Sequence, residues 1–283
     1  MSSFVKAILR SRTALFGWGL LSLLVLLAIL GPTIGLPNPV KSELGARLIP
    51  PTWTFTDLAS HPLGTDQLGR DILSRIIHGS RVTLSVGLAA VVLGGFVGVM
   101  LGLVAGFFGG ITDRILMRLA DMQLSLPLML LALLVVAALG PSLQNLIIVL
   151  ALTGWVRYAR IIRGQVLSLR EREFVLSARV IGASPLRIMI HHILPNVLTP
   201  ALVVATLELA RVIVMEAALS FLGLGVQPPS PSWGRMLAEG RTLISTAWWI
   251  TTFPGVAILL TVLSVNLVGD WLRDHFDPRT IKR

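Results

Sequence analysis

The chain has no cysteine, a single tyrosine and, among its 24 lysines and arginines, only three lysines. Without thiols it makes no disulfide and no thiolate metal site, and cysteine usage says nothing of its redox compartment. The lysines are Lys6, Lys41 and Lys282, and none follows a glycine. That excludes a P-loop, whose Gly-Lys-Ser/Thr step holds nucleotide phosphates. His-Glu-x-x-His and Gly-x-Ser-x-Gly are missing as well, which argues against an intramembrane protease or hydrolase. Charge itself is scarce: 13% of the 283 residues are charged, against about 25% in soluble domains.

What fills the space is apolar. The chain is 54% hydrophobic, with a mean hydropathy of +0.81. Four charge-free runs, Thr13–Val40, Val82–Thr112, Met122–Val156 and Thr242–Gly269, each exceed the roughly 20 residues that cross a bilayer as a helix. The expected fold class is an all-α integral membrane protein. The net charge of +10 then reflects arginines held on one side of a membrane and not a nucleic-acid surface. The N-terminus imitates a signal peptide, but its apolar run outlasts the usual ~7–15 residues and Gly31-Pro32-Thr33 offers no small-x-small cleavage step. It reads as an uncleaved first span.

Six spans are expected, near 14–35, 82–109, 119–139, 143–160, 197–222 and 248–270. The run Met122–Val156 is about 52 Å as a helix, too long for one crossing, and Gly140-Pro141 supplies a hairpin turn. With both termini inside, the inner segments hold 16 basic residues: Lys6, Arg10, Arg12, Arg114, Arg118, seven between Arg157 and Arg187, and Arg273, Arg279, Lys282 and Arg283. The outer segments hold seven, from Lys41 to Arg81 and at Arg235 and Arg241. The asymmetry predicts N-in, C-in.

Residues 1–13 form the inner N-terminus, 14–35 the first span, 36–81 an outer loop and 82–283 the remaining core, with an inner loop at 157–195. Asp66 is expected to cap an amphipathic helix lying on the outer surface, with Leu68, Ile72, Leu73, Ile76 and Ile77 on one face and Asp71–Arg75 as an i,i+4 pair. His61, Asp66, Asp71 and His78 read as caps and solvated groups, and no metal site is expected. Trp233, Trp248 and Trp249 suit the membrane interface.

Two intramembrane features carry alternatives. Gly94, Gly98, Gly102, Gly106 and Gly110 form a helical stripe that admits a neighbouring backbone, either within the chain or at a subunit interface. Glu208, Arg211 and Glu216 are ionisable at span depth, where such groups are costly and face a bundle interior or a water-filled path. Glu208 and Arg211 pair one turn apart, as path lining or as a structural ion pair.

The 157–195 segment is the most specific. Ser177, Ala178, Gly182 and Ala183 are small enough to let a short helix enter a partner's groove; Gly182 ends that helix, and Ser184 caps a second one with Pro185 at its first position. Ser177-Ala178, three residues, Gly182, ten residues and Ile193-Leu194-Pro195 resemble the EAA loop of ABC importer permeases. Glu173-Phe-Val-Leu-Ser-Ala-Arg179-Val-Ile-Gly-Ala-Ser184, His61-Pro-Leu-Gly-Thr-Asp66, Glu216-Ala-Ala-Leu-Ser-Phe-Leu-Gly-Leu-Gly225 and Asn266-Leu-Val-Gly-Asp270 through Asp277-Pro278 resemble the dipeptide/oligopeptide/nickel subgroup, DppC/OppC type. Leu176 stands where the general motif has its glutamate, Ser177 replaces the first alanine and His192 the first isoleucine.

The resemblance implies a type I ABC importer permease fold in a bacterial inner membrane, with Ser177, Ala178, Arg179, Gly182, Ala183, Ser184, Ile193, Leu194 and Pro195 at the ATPase contact. It implies a heterodimer with a second permease, two ATPase subunits that use ATP and Mg, and an extracytoplasmic substrate-binding protein. Lipid surrounds this chain, and no cofactor of its own is expected. Peptide is the default cargo, with nickel chelate, glutathione or another small solute as alternatives. An ion-gradient-driven transporter using the Glu208, Arg211 and Glu216 cluster is the rival mechanism; inverted repeats, which would favour it, are not visible.

Overall fold

The computed structural model describes residues 7–9, 11–33, 35–53 and 61–276. Lys6, Arg10, Arg279, Lys282 and Arg283 of the charge count, and the Asp277-Pro278 step, lie outside these residues. Among the described residues no strand forms beyond one isolated Thr65–Asp71 bridge. The long helices are α1 (Arg12–Leu30), α2 (Ile72–Phe108), α5 (Leu143–Leu169), α7 (Pro185–Phe221) and α9 (Trp249–Phe276), and these five are long and apolar enough to cross a membrane. Shorter helices are α3 (Gly110–Leu124), α4 (Leu128–Leu139), α6 (Glu173–Val180) and α8 (Trp233–Gly240).

Helices α3 and α4 reach the length and apolarity of a sixth span only when taken together, and they meet at 87°, the geometry of a broken span or a re-entrant loop. Pro127 explains the break, because its ring disfavours helical geometry at Leu126 and it has no N–H to donate. At 12 residues α4 covers about 18 Å, short of the ~30 Å core. Gly140, at φ +78°, then turns the chain, and the Ser142 hydroxyl accepts from the Asn145 N–H at 3.1 Å to start α5.

The glycine stripe of α2 packs against α5 inside this chain. A Cβ on Gly94 would lie 2.8 Å from the Ala151 carbonyl oxygen, and one on Gly102 2.6 Å from that of Ala159. Gly98 faces Trp155 and Tyr158 in the same way, and Gly106 faces Val166. Gly110 does not belong with them. The helix breaks at Gly109, Gly110 opens α3 at φ +55°, and nothing lies within 4 Å of its would-be Cβ.

The outer segment differs from the expected surface helix. Its apolar residues from Ile72 onward begin α2 itself, so one 37-residue helix runs from the outer layer into the membrane. Asp71 caps it, accepting from the Ser74 N–H at 2.7 Å, and its other oxygen lies 3.0 Å from His61 Nδ1. Asp66 does not cap α2 and instead accepts from the Leu68 and Arg70 N–H groups at 2.8 and 3.0 Å. It also pairs with Arg70 at 2.7 Å and with Arg75. Both arginines reach on to Glu239 of α8, at 2.8 and 2.9 Å, which Arg235 also contacts. The expected Asp71–Arg75 pair is replaced by this longer-range network, because Arg75 is directed at α8.

Trp233 and Trp249 also depart from an interfacial role. They are buried, and their indole N–H groups donate to the carbonyls of Ile76 at 3.0 Å and Thr65 at 2.9 Å. Trp248 stays half-exposed.

Candidate functional site

Helix α5 continues to Leu169, so the inner connection is shorter than the predicted 157–195 loop. Arg170 donates to the Gly106 carbonyl at 3.0 Å, and after a short turn α6 begins at Glu173. Its end is a Schellman motif: the Gly182 N–H donates to the Arg179 carbonyl at 3.0 Å and the Ala183 N–H to the Ala178 carbonyl at 3.0 Å. Gly182 sits at φ +80°, a conformation that costs other residues about 1–2 kcal/mol. The Ser184 hydroxyl then accepts from the Arg187 N–H, with Pro185 in the first turn of α7.

Near its start α7 contains a π-helical turn, Ile188–Ile193, in which the Leu194 N–H reaches the Met189 carbonyl. Pro195 is the physical reason. It cannot donate to the His191 carbonyl, and its ring would crowd that group in a regular helix. The Asn196 side chain donates instead to the His192 carbonyl at 2.7 Å.

The expected contact residues divide between two faces. Ala178 and Ile193 are buried inside this chain with Val175, Ile188, Ile162 and Leu103, and Ala183 and Leu194 pack at the edge of that cluster. Arg179 lies over the Phe107 ring, 5.4 Å from its centroid. Ser177, Gly182, Ser184 and Pro195 are exposed. The most open apolar side chains there are Val180 at 87%, Ile181 at 84% and Leu186 at 62% exposure, none of them singled out by sequence. Two bulky apolar residues placed directly before a helix-ending glycine are the signal that was available. The buried face holds the short helix in place and leaves these three side chains as an apolar tip.

The intramembrane charges also divide. Glu208 is buried and accepts from Arg211 at 3.0 Å and from Arg157 of α5 at 2.7 Å. The sequence assigns Arg157 to the inner loop, whereas the structure places it halfway along a span, because α5 runs on past it to Leu169. Glu216 does not join this group. It is 0% exposed and accepts from the hydroxyls of Thr83 at 3.2 Å and Ser220 at 2.7 Å. Its surroundings are enclosed hydroxyl donors, so in this conformation it lines no open path. Among the described residues no cluster of three or more potential metal ligands forms.

Comparison with known proteins identifies the family. Residues 98–282 match the family described as "Binding-protein-dependent transport system inner membrane component". The chain is 43% identical over 279 residues to the di/tripeptide transport system permease protein DppC of Pseudomonas aeruginosa, covering 99% of this chain and 92% of that protein. It is 45% identical over 270 residues to the dipeptide transport system permease protein DppC of Escherichia coli, covering 95% and 90%. A solved structure of the MetNI methionine ABC transporter in an inward-facing conformation shares the fold, with a TM-score of 0.58 at 19% identity over 72% of this chain and 97% of that one. The chain thus belongs to the inner membrane components of binding-protein-dependent transport systems: it is a multi-pass transport permease of the ABC importer class.

Proposed function

We propose that this chain is one half of the translocation pathway of an ATP-driven importer of di- or oligopeptides. The observation that carries the reading is identity above 40% along almost the whole chain to permeases named for dipeptide and di/tripeptide transport. A second, related permease completes the pore, with lipid around the pair. Two separate ATPase subunits hydrolyse ATP with Mg and dock at the inner segment, and a substrate-binding protein delivers cargo from outside.

The geometry supports the coupling part of this reading. The exposed Val180, Ile181 and Leu186 tip is an apolar contact on the side to which the charge count assigns the inner face. The cluster of Val175, Ala178 and Ile188 beneath it links that tip to α2, α5 and α7. Closure of the ATPases would push this unit as a rigid body against the spans. The test is uptake of labelled dialanine by proteoliposomes holding the complete importer. ATP-dependent uptake that survives collapse of the proton gradient is expected. Uptake driven by the gradient with no need for the ATPases would overturn the mechanism, and failure to carry any peptide would overturn the cargo.

A further inference from the structure

Glu208 is one carboxylate shared by two arginines, so the site carries one unbalanced positive charge. Arg157 stands at the middle of α5, and Glu208 at the middle of the Leu194–Phe221 stretch of α7. Both therefore sit roughly 20 Å below the outer helix ends, inside a hydrocarbon layer ~30 Å thick. The carboxylate is enclosed at 3% side-chain exposure, whereas Arg157 is open at 53% and Arg211 partly open at 21%. Among the described residues neither arginine has a further ion-pair partner. A guanidinium half-open at that depth is costly against lipid, so its free side faces water, an anion or the second permease. Glu208 meanwhile fixes the two cations beside each other, and guanidinium matches carboxylate geometry through paired N–H donors. Glu216, two turns further out on the same helix, is the contrast: it is fully enclosed and satisfied by hydroxyls.

We propose that Arg157 and Arg211 form a transit site for a carboxylate of the cargo, which for a peptide is its C-terminal carboxylate. The carboxylate docks on the open sides of both arginines, and Glu208 competes for the same donors. That competition keeps the site weak, as a path requires if cargo is to leave as well as enter. The proposal rests on the peptide-import reading for its cargo and on the charge geometry alone for its anion preference.

The absence of native cysteine in this chain makes the test direct. Ile161 is one turn from Arg157 and 43% exposed. Ile161→Cys is labelled in the detergent-solubilised permease–ATPase complex without binding protein, and the label is read on this subunit's own band. Two thiosulfonate reagents are compared, one bearing a sulfonate and one a trimethylammonium, each normalised to a free thiol. The anionic reagent is expected to be faster by roughly tenfold. Arg157→Gln should bring the ratio near one and Arg157→Lys should retain most of it. Dialanine should slow labelling several-fold while dialanine amide should not.

A ratio unmoved by Arg157→Gln, or equal protection by dialanine and its amide, would overturn the proposal. So would separation of the permease pair in Arg157→Gln, which would assign the arginine to a subunit interface. Charge selectivity retained in an importer that carries no peptide would uphold the anion site and overturn the peptide cargo. No charge selectivity at Ile161→Cys with Arg157 in place, in an importer that carries dialanine, would overturn the anion site and uphold the peptide cargo.

Discussion

Glu239 of α8 lies 2.9 Å from the Arg75 guanidinium at the head of α2, and this pair ties together two outer elements from opposite halves of the sequence. Arg75 is 2% and Glu239 13% exposed at the side chain, so the pair is held largely out of water. Arg70, Asp66 and Arg235 complete the network. Breaking a buried pair by removing one member leaves an uncompensated charge and costs about 3–5 kcal/mol. Glu239→Ala is therefore expected to lower the thermal midpoint of the purified chain sharply, measured by scanning fluorimetry.

The same carboxylate gives a pH dependence. Burial raises its pKa, but the charges of Arg75 and Arg70 and hydrogen bonds from Arg75 and Arg235 outweigh burial and hold it below its ordinary 4.5. A depressed carboxyl stabilises the fold in full above the ordinary value, and that contribution is lost as pH falls through the lower folded value. Thermal midpoints between about pH 3 and pH 7 should fall at the acid end in the native chain and fall less in Glu239→Gln. Parallel curves would count against the assignment.

The α2–α5 contact predicts opposite outcomes for two glycines. Gly98→Ala forces a Cβ into the Trp155 backbone, and overpacking of this kind costs about 1–3 kcal/mol. Gly164, in α5, has nothing within 4 Å of its would-be Cβ, so Gly164→Ala should gain about 0.5–1 kcal/mol from reduced chain entropy. Denaturation of the two variants side by side checks the sign difference.

At the inner tip, Val180→Asp combined with Ile181→Asp should leave stability within about 0.5 kcal/mol, since both side chains are almost fully exposed. ATPase co-purification should fall by about tenfold or more, equivalent to ~1.4 kcal/mol of docking energy. Gly182→Asp should weaken the same association by straining the α6 end. Undiminished ATPase recovery and uptake in both variants would remove the tip from the coupling contact.

Glu216→Ala takes the acceptor from the buried Thr83 and Ser220 hydroxyls, at a cost of about 1–3 kcal/mol. The loss should appear as reduced stability and yield of folded chain. Arg157→Gln should instead appear in transport and labelling. If Glu216→Ala folds normally and fails only in transport, its enclosed setting is not what it contributes.

Sequence alone determined that the chain lives in a membrane, that it carries no nucleotide-binding loop, and that its inner segment ends one helix at Gly182 and starts another at Ser184. These are local properties: apolar run length, a missing Gly-Lys step, a left-handed glycine and a capping serine each act over a few residues. The Glu208–Arg211 pair was legible for the same reason, being one helical turn. Tertiary structure decided the rest. Arg157 joined Glu208 from a different span, Asp66 and Arg75 met Arg70 and Glu239 in the outer layer, and the glycine stripe found its partner in α5. It also decided which face of α6 is buried, turning Ala178 inward and leaving Val180 and Ile181 open. Periodicity says that a helix has faces, but what packs against each one depends on how distant segments are brought together. In this chain that assembly separates an enclosed glutamate, Glu216, from Glu208, which is flanked by an open arginine, Arg157, and a partly open one, Arg211.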